Sequence, residues 1–324
     1  MLRHAVQRLT QGALVLVFAS FAIYVLLGLM PGDPVDLMAS GNPAITPEDL
    51  RRLRELHGVD RPILERYADW AVAALSGDLG YSRTFNRPVL SVIGPYLANT
   101  AVLMLVAFAL ALAAGIALGL LAASNRGGWI DAGINGFAFV SAAVPTFWLG
   151  LLLIVLFAVV LGWLPASALP PPGADGFWDR ARHLLLPVAT LALVEAGEYA
   201  RHMRAAAIEA LEQDWIRTAR AKGASRGRVV LGHALRNALI PVATVAALGF
   251  GGLFSGALVT ETIFAYPGMG KLIYDSILAS DFNLALACLL MAASLVVAAN
   301  FAADTLYAAL DPRVGFGNAK GEER

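Results

Sequence analysis

Six stretches of this chain are so poor in charge and so rich in aliphatic residues that water is a poor solvent for them: roughly Leu9–Met30, Ala98–Ala123, Ile134–Gly162, Leu184–Tyr199, Leu239–Thr260 and Leu284–Leu306. An uncharged apolar run of about 18 residues or more reads as a bilayer span. Each run reaches that length except the fourth, which does so only by continuing through Arg201. Composition agrees, because 58% of the 324 residues are hydrophobic and 15% charged, against about 45–50% and about 25% in soluble domains. One buried core cannot absorb that excess. The expected fold class is all-α: a polytopic integral membrane protein with six transmembrane helices.

The first run follows Arg3 and Arg8 as a secretory leader would. Its length exceeds the usual leader core of about 7–15 residues. It ends at Pro31-Gly32-Asp33-Pro34, a helix stop without an A-x-A cleavage site, so a retained helix is expected. Orientation follows from lysine and arginine close to the helix ends. Arg3 and Arg8, then Arg126, then the eight basic residues from Arg201 to Arg236, then Arg313, Lys320 and Arg324 all fall on one side if there are six spans. That side is expected to be cytoplasmic, with both termini inside. The long loop over 31–97 has seven arginines but more acids, and loops longer than about 60 residues obey the charge rule poorly.

Small residues recur every four positions in the second run, at Ala107, Ala111, Gly115, Gly119 and Ala123. They form a ridge on which another helix can come close. The fifth run holds Gly249, Gly251, Gly252 and Gly256. Tight static packing and a rocking contact both fit these patterns. Glu195 and Glu198 lie near the inner end of the fourth run and Asp304 near that of the sixth. Intramembrane carboxylates default to functional candidates. Glu198, however, is also placed to pair locally with Arg201 and His202. The single cysteine, Cys288, lies in an apolar run and reads as a small hydrophobe.

Between the fourth and fifth runs lies a basic segment, about 203–238. Asp214 is placed to cap a short helix with Trp215, Ile216 and Ala219 on one face. Lys222 and then Gly223 form a cationic last turn with a terminal glycine. Ser225 starts a second helix leading into the fifth run. A surface-lying lipid helix and a docking helix for a soluble partner fit equally well. A tether between two spans makes a DNA reader a poor fit.

The stretch RTARAKG at Arg217–Gly223, followed by HALRNALIPV, resembles the EAA loop of bacterial ABC-importer permeases in its dipeptide/oligopeptide branch. It departs from the usual pattern in having Arg217 where a glutamate is expected and Arg236 where a proline is expected. Further similar motifs follow one another along the chain: PGDP at 31–34, GVDRPILERYADW at 58–70, GDLGYS at 77–82, ETIFAYPGMGKLIYDSI at 261–277 and LYAALDPRV at 306–314.

The resemblance implies a type I ABC-importer permease fold, organised as a first helix (1–30), an extracytoplasmic loop (31–97), a permease core (98–310) carrying the coupling loop, and a tail (311–324). It implies half of a transmembrane pore in a bacterial inner membrane. The implied partners are a second permease, two cytoplasmic ATPase subunits and an extracytoplasmic binding protein, with no nucleic acid. ATP and magnesium would be bound by the ATPases and no cofactor by this chain. Coupling would fall to Arg217, Thr218, Ala219, Arg220, Ala221, Lys222 and Gly223, with the long outer loop and Glu261–Phe282 receiving the binding protein. Peptides are the implied cargo, and nickel or glutathione importers share the motifs. A gradient-driven carrier would call for a central ionisable pair or an inverted repeat, and the sequence displays neither.

Gly268-Met269-Gly270-Lys271 superficially resembles the end of a phosphate loop, but Ala265 stands at the first glycine position and Leu272 follows the lysine. The five histidines, His4, His57, His183, His202 and His233, are scattered singly, so no catalytic or metal-ligating set is expected.

Overall fold

In the computed structural model, residues 2–29, 46, 48–49, 51–52, 61–171, 173 and 176–310 are described. The Pro31–Pro34 stop, Pro47, His57 and the tail from Asp311 lie outside the described residues, as do the side chains of Arg3, His4, Gly251, Gly252 and Asp304. In chain order the elements are α1 (Leu2–Gly28), α2 (Ile63–Leu75), a hairpin of β1 (Tyr81–Ser82) and β2 (Arg87–Pro88), α3 (Val89–Ser124), α4 (Trp129–Ala143), α5 (Thr146–Leu153), α6 (Phe177–Leu211), α7 (Asp214–Ala221), α8 (Leu235–Ile263), α9 (Met269–Leu278) and α10 (Phe282–Leu310). Wider π turns extend α5 over Ile154–Val160 and lead into α8 over Arg228–Ala234.

Among the described residues, four helical stretches are long and apolar enough to cross a membrane: Val6–Gly28, Val89–Ser124, Arg228–Ala247 and Phe282–Ala302. A fifth appears if Trp129–Ala143 and Thr146–Val160, bent by 109° at a short break, are taken as one span. The bend has a covalent cause. Pro145 forces the residue before it out of the helical region, and Val144 is extended at φ −86°, ψ 123°. The third apolar run is therefore two helices rather than one rod. The fourth run does continue past Arg201, to Leu211. Its length, about 52 Å at 1.5 Å per residue, suffices to span, although Glu195, Glu198 and Arg201 interrupt its apolar surface.

Two compact units emerge: Met1–Ala5, Thr100–Tyr266 and Ala298–Arg324 in one, Val6–Asn99 and Pro267–Val297 in the other. In the first, the small-residue ridge of α3 lies against α6. Ala107 and Ala111 are fully buried, and Ala111 joins Ala196, Tyr199 and Ala246 in one cluster. A Cβ on Gly119 would lie 2.5 Å from Met203 Cβ and 2.6 Å from the Ala200 carbonyl oxygen. That separation allows hydrogen only, so the two backbones approach as closely as the small-residue pattern implies. On another side of α6, a Cβ on Gly197 would run into the Ser141 side chain and lie 3.2 Å from Ala138 Cα of α4. Below these contacts Leu120, Ala123, Met203, Ala207, Ala238 and Val242 join α3, α6 and α8.

The second unit is held by aromatic rings and one carboxylate. Tyr24 of α1 has the rings of Tyr67, Trp70 and Phe282 within 5.6–5.8 Å, and Tyr67 shares a 2.8 Å hydrogen bond with Ser20. Tyr67 and Trp70 thus bind α2 to α1. Asp281, buried, accepts hydrogen bonds from Ser82 Oγ at 2.6 Å and Thr84 N at 2.9 Å. Its backbone carbonyl receives the Ala285 N–H, so one residue begins α10 and holds the hairpin. A capping pair forms within the 31–97 segment: Asp49 Oδ2 accepts the Thr46 N–H at 3.0 Å, and Thr46 Oγ1 accepts the Asp49 N–H at 3.2 Å. Cys288 is buried.

Substituting Gly119→Val places two methyl groups where Met203 and Ala200 already stand. Overpacking of this kind costs about 1–3 kcal/mol. The expected result is a lower midpoint of thermal unfolding in detergent for Gly119→Val, and almost no change for Gly133→Val, since a Cβ at Gly133 meets nothing within 4 Å.

Candidate functional site

The basic segment folds as a short amphipathic rod with a defined stop. In α7, Ile216 is fully buried while Trp215, Arg217, Thr218, Arg220 and Ala221 are exposed and Ala219 is half-buried. An eight-residue helix is marginal by itself, so the burial of Ile216, worth about 1.5–3 kcal/mol, helps to hold it. Asp214 is the first residue of α7 and not its cap. Gln213 occupies the cap position without a side-chain bond, and Asp214 adds negative charge to the first turn, where the helix dipole favours it. Arg217 lies 3.5 Å from Asp214 with both side chains exposed, a pairing of little energetic weight.

The other end follows from one glycine. Gly223 has φ +84°, and a Cβ there would meet nothing within 4 Å. Its requirement is therefore conformational, not spatial. The Ala224 N–H reaches the Ala219 carbonyl at 3.1 Å and the Gly223 N–H reaches the Arg220 carbonyl at 2.9 Å, which together form a Schellman stop. The chain then restarts at Ser225, whose hydroxyl accepts the Arg228 N–H at 3.4 Å and whose carbonyl accepts the Val229 N–H at 2.9 Å.

Both ends of α7 are tied to the turn between α3 and α4. On the entry side, the Arg126 guanidinium of that turn pairs with Glu212, two residues before α7. On the exit side, Arg226 donates to the Ser124 carbonyl. The turn itself is braced by Asp131, which is buried. It accepts Arg204 Nε at 2.6 Å and Nη2 at 2.8 Å, the Gly127 N–H at 2.9 Å and the Asn135 amide at 2.8 Å. Two-pronged guanidinium–carboxylate contacts fix direction as well as distance. The rod, the end of α6 and the α3–α4 turn form one braced structure.

Of the seven expected coupling residues, Arg217, Thr218, Ala221 and Lys222 lie on the exposed surface, and Ala219 turns partly inward. Arg220 is exposed but borders a cavity of about 560 Å³ that it shares with Ser124, Arg126, Leu211, Arg226 and Val229. Arg126, Arg204 and Arg226 read from the sequence only as charges that set orientation. Their roles as braces depend on Asp131 and Ser124, about 70 to 100 positions away, and a separation of that size leaves no local signal. Glu198 pairs with His202 at 3.9 Å, as its spacing implied. Lys271 is paired with Asp275 at 2.7 Å in the first turns of α9.

Asp131 and Arg204 offer a direct energetic test. Asp131→Ala removes the acceptor for Gly127 and Asn135 as well as for Arg204, so it is expected to destabilise more than Arg204→Ala. A net loss of about 2–4 kcal/mol is expected, because a buried charge pair broken from one side leaves polar groups unsatisfied. In a double-mutant cycle by unfolding in detergent, the pair should lose clearly less than the sum of the singles.

Comparisons with known proteins agree along the whole chain. The family described as binding-protein-dependent transport system inner membrane component matches residues 115–316, and its N-terminal companion matches 1–112. A putative peptide transport system permease protein of Brucella abortus is 38% identical over 96% of this chain and 98% of its own. The oligopeptide transport system permease protein AppB of Bacillus subtilis is 37% identical over 98% and 100%. The di/tripeptide transport system permease protein DppB of Pseudomonas aeruginosa is 38% identical over 90% and 92%. Among solved structures, that of an amino acid ABC transporter with histidines superposes with a TM-score of 0.52 at 15% identity, over 67% of this chain and 94% of the other, a likeness of fold. The chain belongs to the binding-protein-dependent transport system inner membrane component family, as a multi-pass permease component of an ABC importer.

Proposed function

We propose that this chain is one permease half of an ATP-driven importer of dipeptides or oligopeptides, and that α7 is its coupling helix. Peptide cargo is supported by the names of relatives that align over nearly the full length. In this reading a second, related permease completes the pore, a pair of ATPase subunits docks on the cytoplasmic face, and an extracytoplasmic binding protein delivers the solute. Both termini are cytoplasmic. ATP and magnesium are held by the ATPases, and this chain transmits their motion without performing chemistry.

The observation that carries the coupling role is the double tether of α7. A helix that only rests on lipid has no need of polar ties at its entry and exit. A helix that transmits force does need them, since a push on the rod must move α6 and the α3–α4 turn together. Arg126 with Glu212 and Arg226 with Ser124 supply those fixed points. The exposed Arg217, Thr218, Ala221 and Lys222 are then the surface presented to the ATPase groove, a short helix laid into a partner.

Gly223→Val tests this. A β-branched residue at φ +84° is strained and should re-aim the end of the rod while the spans still insert. In proteoliposomes containing the assembled importer, peptide uptake is expected to fall at least tenfold, with the partner permease still co-purifying. Uptake at the wild-type rate would count against α7 as the coupling element. Purification of the tagged chain without any ATPase subunit would favour a lipid-lying helix instead.

A further inference from the structure

Near the midpoint of α6, away from the cytoplasmic bracing, a carboxylate and a phenol lack the partners that buried groups normally have. Glu195 Oε2 and the Tyr199 hydroxyl are both buried, and neither makes a hydrogen bond of good geometry. Buried polar atoms in a folded chain are overwhelmingly paired, and a carboxylate held in an apolar setting is costly unless it meets a cation or a donor. Both groups aim at one point on α8. A Cβ on Gly249, the central residue of that helix, would lie 2.9 Å from the Tyr199 oxygen and 3.5 Å from Glu195 Oε2. The absence of a side chain at Gly249 is what gives the two groups room.

Glu195 also opens onto a cavity of about 360 Å³ between α5, α6 and α8, walled by Phe147, Leu191, Val194, Leu253 and Val259. Among the described residues its lining carries no other charge. One carboxylate and a nearby phenol are too few oxygens for a hard metal ion, which takes about six to eight. They suit a single ammonium group, with the hydrocarbon next to it lodged against apolar and aromatic walls.

We propose that Glu195, with Tyr199 beside it, forms a transient binding site for the α-ammonium group of a peptide in transit. This rests on the peptide-importer reading. Every linear peptide carries that group whatever its side chains, so one carboxylate in a largely apolar chamber, with Thr146 its other polar side chain among the described residues, recognises the whole class without selecting a sequence. Phe147 and Leu253 contact the hydrocarbon portion. The Tyr199 hydroxyl lies beside the carboxylate, facing the same point on Gly249.

The test uses the complete transporter in proteoliposomes. Glu195→Gln is expected to lower uptake of labelled Ala-Ala at least tenfold at subsaturating peptide, and Glu195→Asp to restore a substantial part of it. Thr146→Cys, a cavity-lining position, in a Cys288→Ala background with Glu195 intact, should react with a cationic methanethiosulfonate reagent, and Ala-Ala should slow that reaction several-fold. Wild-type uptake by Glu195→Gln overturns the proposal. So does a cysteine the reagent does not reach, or one that neither Ala-Ala nor ethylammonium protects. Loss of the partner permease on purification of Glu195→Gln also overturns it, because Glu195 would then be an inter-subunit ion-pair partner. If the wild-type complex takes up no Ala-Ala but ethylammonium protects the cysteine, the peptide reading fails while the cation site stands.

Discussion

Close approach of backbones between α3 and α6 is the constraint on which the first unit depends. Lipid tails are as apolar as leucine, so helices in a bilayer gain little from hiding hydrophobic surface from one another. They gain instead from dense van der Waals contact, which requires small side chains at the crossing. Gly119 against Met203 and Ala200 meets that need on α3, and Gly197 against Ser141 and Ala138 meets it on a second side of α6. Held on two sides at contact distance, α6 cannot move without its neighbours. That stiffness makes it meaningful to brace its C-terminal end.

The brace uses a different interaction because its surroundings differ. At the C-terminal end of α6, polar groups have water as a competitor, and isolated ion pairs contribute little. Asp131 escapes that limit by being buried and by engaging Arg204, Gly127 and Asn135 at once. The four-residue turn between α3 and α4 is thereby fixed, and it becomes the anchor to which both ends of α7 are attached. Packing provides rigidity within the bundle and directed hydrogen bonds carry it out to the rod.

Much of this was legible in the residues. The ridge at Ala107, Ala111, Gly115, Gly119 and Ala123 and the stop at Gly223 are local patterns with local causes, helical periodicity in one case and a left-handed backbone in the other. The start at Ser225 was readable for the same reason. What sequence reading missed was one local break and several non-local pairings. The third run looked like one span because apolarity is blind to direction, whereas Val144-Pro145 turns it through 109°. Arg126, Arg204 and Arg226 looked like generic positive charge, because nothing in their own neighbourhood names Glu212, Asp131 or Ser124 as partners.

By itself the sequence determined the solvent of each segment, since transfer of an apolar run into hydrocarbon is a sum over its own residues. It also determined where helices start and stop, because caps and left-handed glycines act over a few bonds. Only the tertiary structure decided which charges brace the α3–α4 turn and which carboxylate is left buried opposite Gly249. Those outcomes depend on distances between residues far apart in the chain. Such distances exist only once the helices have packed.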